Sequence, residues 1–182
     1  MVVAGALLAL LVQMFVLILV PMARASGHSA DRVELHNMVA AALDKLFADL
    51  DRGSPDSITL RTAPVVAAVQ PLAELTADGR PSWERELVVY ALDTVGKRLV
   101  RRVWPPAPPS FAWELTPARA ARIKPEELQL LGEPGSATQT VLASWVRSFQ
   151  VTLAGSQLDA ALEVERGNQR YGLSLSRYLH NH

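Results

Sequence analysis

The first 23 residues form the longest apolar stretch of the chain. Their only polar side chain is that of Gln13, and the first charged residue is Arg24. A helix on a globular core buries one face only, so a segment that is apolar on all sides is not typical of such a helix. Twenty-odd residues at a rise of ~1.5 Å make about 30 Å of helix, the thickness of the hydrocarbon layer of a bilayer. The pattern therefore predicts a helix over residues 1–25 that spans a membrane.

Three interpretations of this segment stay open. The Ala23-Arg24-Ala25 triplet after Pro21 has the form of a signal-peptide cleavage site, although no Lys or Arg precedes the apolar run. A plain membrane anchor explains the length of the apolar segment but not the pattern of the residues that follow it. In the third interpretation the helix continues past Pro21, which kinks it without ending it, because lipid offers the backbone no other hydrogen-bond partner.

The third interpretation depends on an amphipathic pattern over residues 29–50. Apolar residues recur there at spacings of four, four, three and four, which is one stripe along a helix: Leu35, Val39, Leu43, Leu46 and Leu50. The charged residues lie mostly off this stripe, and this group includes Asp44, Lys45 and Asp49. The Gly53-Ser54-Pro55 triplet then ends the helix.

After Pro55 the pattern changes to that of strands. Residues 57–61 favour a short strand, and residues 86–92 and 97–104 favour a hairpin around the turn at 93–96. Three stretches within 145–179 then alternate apolar and polar residues with period two, which predicts a three-stranded antiparallel meander with one buried face. The amphipathic helix is the candidate to cover that face, so we predict an α+β fold with a helix packed on an antiparallel sheet.

Composition removes several classes of function. The 18 basic and 18 acidic residues balance, whereas a nucleic-acid-binding face needs a basic excess. The absence of Cys excludes disulfides and thiol chemistry. His180 and His182 at the chain end are too few for a structural metal site, which normally needs four ligands. No nucleophile elbow or phosphate-binding loop is present. We therefore predict no catalytic, cofactor-binding or metal-binding residues, and a protein that is not an enzyme.

The basic residues of the 97–104 strand allow two interpretations. Arg98, Arg101 and Arg102 could bind an anion or an acidic partner, or they could protect a solvated strand edge against aggregation. The proline-rich residues 105–109 must be extended and cannot join a sheet ladder, which is typical of a stiff surface connection.

Four segments resemble the type IV pilin and type II secretion pseudopilin superfamily. Residues 1–11 are similar to the interior of the prepilin helix, and residues 42–50 resemble the end of the first helix in J-type minor pseudopilins and W-type minor pilins. Residues 87–105 are similar to the hairpin of those proteins, and residues 141–149 to the strand entry before their last hairpin. The resemblance implies a pilin-like α+β fold: residues 1–25 as a transmembrane and assembly helix, and residues 26–182 as a periplasmic domain.

The resemblance also implies a function. The chain would be a structural minor subunit of a type II secretion or type IV pilus filament, placed in its tip complex with other minor pilins or pseudopilins as partners. It would wait as a single-pass protein of the bacterial inner membrane, with lipid as its partner before assembly into a periplasmic filament. The small residues Ala4, Gly5, Ala6 and Ala9 would then let neighbouring helices approach closely.

Two expectations qualify this function. The basic leader, cleavage-site Gly and following Glu of the family do not occur before the apolar run, so we expect Met1 to be an internal start codon; prepilin peptidase is a partner only if a leader lies upstream. The alternative function, from a different class, is a membrane-tethered or secreted binding domain that stays monomeric outside the cytoplasm.

Overall fold

The computed structural model describes residues 2–105, 115–121, 123–133, 135 and 137–179. Most of the proline-rich segment and both C-terminal histidines, His180 and His182, lie outside the described residues. Within the N-terminal helix the side chains are described for residues 13–15, 17 and 30–50. The proposed helix-packing residues Ala4, Gly5, Ala6 and Ala9 therefore lie outside the described side chains.

Two α-helices and ten strands follow in chain order. Helix α1 covers Val2–Leu50 and helix α2 covers Pro125–Leu131, with a 3-10 turn at Pro55–Ser57. The strands are β1 Ile58–Thr62, β2 Val65–Val69, β3 Leu72–Leu75, β4 Pro81–Trp83, β5 Leu87–Asp93, β6 Arg98–Trp104, β7 Thr138–Ser144, β8 Val146–Ala154, β9 Gln157–Arg166 and β10 Gln169–Tyr178.

The strands form two main antiparallel sheets. A five-stranded sheet has the order β1-β2-β5-β6-β7, and a three-stranded sheet has the order β10-β9-β8; β3 and β4 pair separately. The β5–β6 hairpin and the β8–β9–β10 meander confirm the strand pairing that the alternation pattern predicted. The two turns of the meander each contain a glycine with φ of +61°, Gly155 and Gly167, which is the conformation that tight hairpins favour.

The predicted α+β pilin-like fold with a long, half membrane-spanning N-terminal helix is wrong. Of the residues with described side chains, 48 % lie in strands and 24 % are helical, so this part of the chain is mostly β-sheet, and its continuous stretch of α1 is short, about 21 residues over 30–50. That helix carries charges along one side, for example Arg32, Asp44 and Lys45, because its apolar residues serve a single buried face.

The predicted localisation, single-pass in the inner membrane with a periplasmic domain, is corrected for the same reason. Among the residues described, no helix is both long enough and apolar enough to cross a bilayer.

The chain divides into two compact units between Asn37 and Met38. The first unit, residues 1–37, comprises the N-terminal part of α1. The second unit, residues 38–182, comprises the last 13 residues of α1, both sheets and α2. The sequence had suggested a boundary near residue 25.

The second unit buries both faces of its five-stranded sheet. On one face an apolar cluster joins the sheet to α2 and the loop before it, with Val89, Val100, Trp104, Leu128 and Leu131 among its members. On the other face Tyr90 points to the C-terminal part of α1 and donates a hydrogen bond to the main-chain oxygen of Lys45. The three-stranded sheet also reaches this part of α1, because Arg177 of β10 stacks on the Phe47 ring. Residues 38–50 are thus held by both sheets.

Candidate functional site

The apolar stripe of α1 is buried along its whole described length. Val39, Leu43, Leu46 and Leu50 lie in the second unit and have no exposed surface, and Leu35 in the first unit is also buried. In the second unit this burial anchors the helix end, since each fully buried Leu or Val contributes roughly 1.5–3 kcal/mol.

A carboxylate lies on the buried side of the same helix. Asp49 is only 2 % exposed, although the sequence pattern assigned it to the polar flank. Its Oδ2 accepts hydrogen bonds from Tyr90 Oη at 2.6 Å and from Arg101 Nε at 2.5 Å, and its Oδ1 accepts one from Lys45 Nζ at 2.9 Å. Because Tyr90 and Arg101 are directly opposite each other on β5 and β6, their side chains share one face of the sheet. We call Lys45, Asp49, Tyr90 and Arg101 the anchor cluster.

The electrostatics of the anchor cluster favour a charged carboxylate. Burial raises the pKa of Asp49, but the hydrogen bonds from Arg101, Tyr90 and Lys45 together lower it, so the net pKa lies below the ordinary value. Burial, followed by the hydrogen bond to Asp49, raises the pKa of Tyr90, which stays a neutral donor. Burial lowers the pKa of Arg101, but the hydrogen bond to Asp49 and the charge of Asp49 together have the larger effect. The net pKa of Arg101 is therefore raised. The cluster is therefore a carboxylate fixed by three donors.

This arrangement holds two elements together. Both oxygens of Asp49 already accept hydrogen bonds and this carboxylate is buried, whereas the Lys45 side chain is 47 % exposed. A general base instead needs an oxygen within reach of a substrate proton. We therefore assign the cluster a positioning role for the helix.

The three arginines of β6 separate into different roles. Arg101 belongs to the anchor cluster. Arg102 is buried, where its guanidinium donates to Gln139 Oε1 at 3.1 Å and to the main-chain oxygen of Gly132. Burial lowers the pKa of Arg102, and the charge of Asp93, which acts to raise this pKa, offsets only part of the effect. Only Arg98 is exposed, and β6 pairs with β5 on one side and β7 on the other, so the predicted protection of a solvated strand edge is wrong for all three.

An open groove of about 390 Å³ separates the edge of the five-stranded sheet from β8. Its walls are Thr62, Val65, Leu92 and residues 147–152. Its one charged residue, Arg147, is paired with Glu165 at 2.5 Å. The groove also carries four uncharged polar side chains, those of Thr62, Ser148, Gln150 and Thr152.

Large apolar side chains are exposed on the first unit. Met14, Phe15 and Leu17 of α1 are 58 %, 67 % and 66 % exposed. Three such residues within four positions form an apolar surface of the kind that marks contact sites.

Sequence reasoning missed the anchor cluster, although a signal for it was present. Asp49 follows Leu46 by three residues and therefore lies on the same helix face as the stripe. A lone acid on an apolar face predicts a buried partner, but the sequence does not show that this partner is Tyr90 or Arg101, 41 and 52 residues away.

Comparisons with known proteins add no family, since no family model, curated protein or solved structure matches the chain. Within the residues described, no group of three or more His, Asp or Glu side chains is placed to hold a metal ion.

Proposed function

We propose that the chain is a structural subunit that assembles with similar subunits into a filament of the type II secretion or type IV pilus kind, as a minor pilin or pseudopilin. The observation that carries the proposal is the apolar surface of the first unit, formed by Met14, Phe15 and Leu17. An exposed apolar surface of this kind gains roughly 25 cal/mol for each Å² that a partner covers.

The nature of the partner follows from the shape of this surface. The three residues lie on a helix, and an apolar helix is most easily covered by another helix that packs ridges into its grooves. The surrounding residues 2–12 contain no charge, so a neighbouring apolar helix would meet no desolvation penalty there. Other subunits with apolar helices of the same kind are therefore the partners that this surface fits.

The anchor cluster supports the same proposal from the second unit. A subunit in an ordered filament needs a domain that holds its own segment of the helix in a fixed position. The buried Leu stripe and the Asp49 carboxylate define the position of residues 38–50 on the sheets. The resemblance of residues 42–50 and 87–105 to minor pseudopilins covers this same helix end and hairpin.

The test is association of the purified full chain with the pilins or pseudopilins encoded beside its gene. We expect capture of at least one of them by the wild type, and loss of capture in the double variant Phe15→Ser/Leu17→Ser. The matched control is Leu75→Ser, which replaces an apolar residue of similar exposure on β3.

Two outcomes would contradict the proposal. The first is equal capture by the wild type and the Phe15/Leu17 variant, because the apolar surface would then have no part in the contact. The second is a chain that stays monomeric with every neighbouring subunit, which favours the alternative of a monomeric binding domain.

A further inference from the structure

The chain passes from the five-stranded to the three-stranded sheet at a single residue, Trp145. This residue lies between the end of β7 and the start of β8 and has a φ of +57°. The amide of the next residue, Val146, donates a hydrogen bond to the main-chain oxygen of Lys97 at 2.9 Å. The main-chain oxygen of Trp145 accepts one from the amide of Glu165 at 2.8 Å. These two bonds fix the corner on both sides.

A tryptophan is an unexpected residue for this backbone. The left-handed region favours Gly or Asn, and a bulky residue there is a clear outlier. Lys97, across the hydrogen bond, also has a positive φ, of +49°. Strained residues of this kind concentrate at binding sites, where the side chain is required in spite of the strain. The backbone turn alone would not need an indole ring.

The ring of Trp145 is partly exposed beside other exposed groups. It is 39 % exposed, with the Arg166 guanidinium 4.6 Å from the ring centroid. Val95, at the tip of the β5–β6 turn that ends at Lys97, is 94 % exposed. We call Val95, Lys97, Arg98 and Trp145 the corner surface.

The charge of the corner surface is positive. Lys97 and Arg98 are exposed, and neither has an ion-pair partner among the described residues. The carboxylate of this turn, Asp93, lies opposite Arg98 on the ladder, and its Oδ1 accepts the amides of Val95 and Gly96 at 3.1 and 2.9 Å, so two cations stand against one anion. A ligand that fits this surface therefore combines carboxylates with an apolar side chain.

The chain carries such a surface elsewhere. Leu130 of α2 is 51 % exposed, and it is flanked by the exposed carboxylates Glu126 and Glu133, four residues before it and three after it. Neither carboxylate has an ion-pair partner in the part of the chain that the structure describes. Glu126 and Leu130 lie one turn apart on α2, and Glu133 follows two residues after the helix end, where its amide donates to the Leu130 oxygen at 3.1 Å. We call Glu126, Leu130 and Glu133 the acidic ridge.

We propose that the corner surface binds the acidic ridge of a second copy of this chain. Trp145 and Val95 would cover Leu130, while Lys97 and Arg98 would pair with the two carboxylates. Because the two surfaces differ, the contact is heterologous and can repeat from copy to copy in one direction. It is independent of the apolar surface at Met14, Phe15 and Leu17, and so goes beyond the proposed function.

The test uses the absence of Cys from the natural sequence. Two full-length single-Cys variants, Val95→Cys and Leu130→Cys, are given different affinity tags, mixed and oxidised. We expect a mixed disulfide dimer at least tenfold more abundant than with the control pair Val95→Cys and Ala154→Cys, in which the second cysteine lies at the exposed end of β8 and not on the ridge. A yield equal to that of the control pair would overturn the proposal.

Charge exchange tests the ion pairs separately. Lys97→Glu/Arg98→Glu in both partners should reduce the mixed disulfide at least tenfold, and so should Glu126→Lys/Glu133→Lys in both partners. Combining a reversed corner on one partner with a reversed ridge on the other should restore it. Failure of this restoration, with both variants folded by circular dichroism, would also overturn the proposal.

Trp145→Gly separates binding from folding. Glycine adopts the left-handed backbone without strain, so we expect an unchanged or higher Tm together with a loss of the mixed disulfide. A lower Tm with an unchanged disulfide yield would show that the ring acts inside the fold only. A self-cross-link of Phe15→Cys, measured in parallel, reports association through the apolar surface of the first unit. A failure of the corner–ridge contact can therefore be told apart from a failure of the proposed function.

Discussion

At the scale of single residues, Asp49 is a buried acid that three side-chain donors hold in place. It is an acid on a helix face that is otherwise apolar, and it is compensated by donors from its own helix and from β5 and β6. A buried charge is tolerated only when its hydrogen bonds are complete, because the penalty for removing it from water is several kcal/mol. Each partner of Asp49 is therefore needed as long as the carboxylate is present.

We predict that Asp49→Asn destabilises the protein by about 3 kcal/mol at pH 7, the cost of breaking a buried ion pair from one side. Urea unfolding followed by tryptophan fluorescence measures the change. The control is Asp44→Asn on the same helix, where an exposed carboxylate lies 3.5 Å from Arg177 and the expected loss is less than about 1 kcal/mol. Equal losses in the two variants would contradict the prediction.

The contribution of Asp49 should depend on pH. Its pKa is lower in the folded than in the unfolded chain, where an Asp titrates near about 3.9. The stabilisation is therefore complete above that value and is lost as pH falls through the folded pKa. We expect the difference between the wild type and Asp49→Asn to be constant from pH 7 to about pH 5 and to shrink below about pH 4. A difference that persists unchanged to pH 3 would be inconsistent with a charged carboxylate.

At the scale of elements, the turn after α1 fixes the path of the chain from the helix to the first strand of the five-stranded sheet. The amide of Asp51 bonds to the oxygen of Phe47 at 2.8 Å, and Gly53 follows where the chain folds back toward β1. A Cβ on Gly53 would lie 2.5 Å from Val69 Cγ2 and 2.7 Å from Ser57 Oγ. The turn is therefore packed directly against β2 and leaves room for no side chain.

We predict that Gly53→Ala costs about 1–3 kcal/mol, the usual range for an extra methyl group in a filled site. Thermal unfolding by circular dichroism is the measurement. The control is Gly172→Ala on β10, where the nearest atom, Glu163 Cγ, would be 3.7 Å from the new Cβ, so that no loss is expected. A Tm unchanged by Gly53→Ala would show that the turn can move.

Elements with local patterns were predictable, whereas long-range pairings were not. Alternation over residues 157–178 identified β9 and β10 because β9 alternates buried with half-buried residues and β10 alternates half-buried with exposed ones. Helix α2 stayed ambiguous, since seven residues show fewer than two full turns of periodicity. The pairing of β2 with β5 joins segments about 20 residues apart, and no local pattern encodes it. Asp49 was misassigned because an exposed and a buried acid look alike until the donors opposite are known.

At the scale of the whole molecule, the second unit is organised around the last turns of α1. Asp49 connects them to the five-stranded sheet, and Arg177 connects them to the three-stranded sheet. Arg177 lies 3.5 Å from Asp44 and 3.7 Å from Asp51, and its guanidinium is 4.9 Å from the centroid of the Phe47 ring. One arginine thus joins the edge strand β10 to the helix by both charge and stacking.

We predict that Arg177→Ala destabilises the protein by about 1 kcal/mol, since the ion pairs are solvent-exposed and the stacking supplies most of the effect. Arg177→Lys should recover less than half of the loss, because an ammonium group does not stack as a guanidinium does. The control is Arg170→Ala, an exposed arginine of the same strand that pairs with Glu163 away from the helix. Urea unfolding compares the three variants, and equal stability of Arg177→Ala and Arg170→Ala would contradict this role.

The single carboxylate on the leucine stripe has a mechanical consequence. The apolar stripe of α1 repeats nearly every turn. A helix held by this stripe alone could shift by one turn along the sheets, and similar apolar contacts would replace the old ones at little cost in free energy. Asp49 has no equivalent one turn away, because Tyr90 and Arg101 can donate to its carboxylate at one position of the helix only. Under a pulling force along the helix axis, the contact should resist until the carboxylate leaves its donors and then yield in one step, without gradual creep.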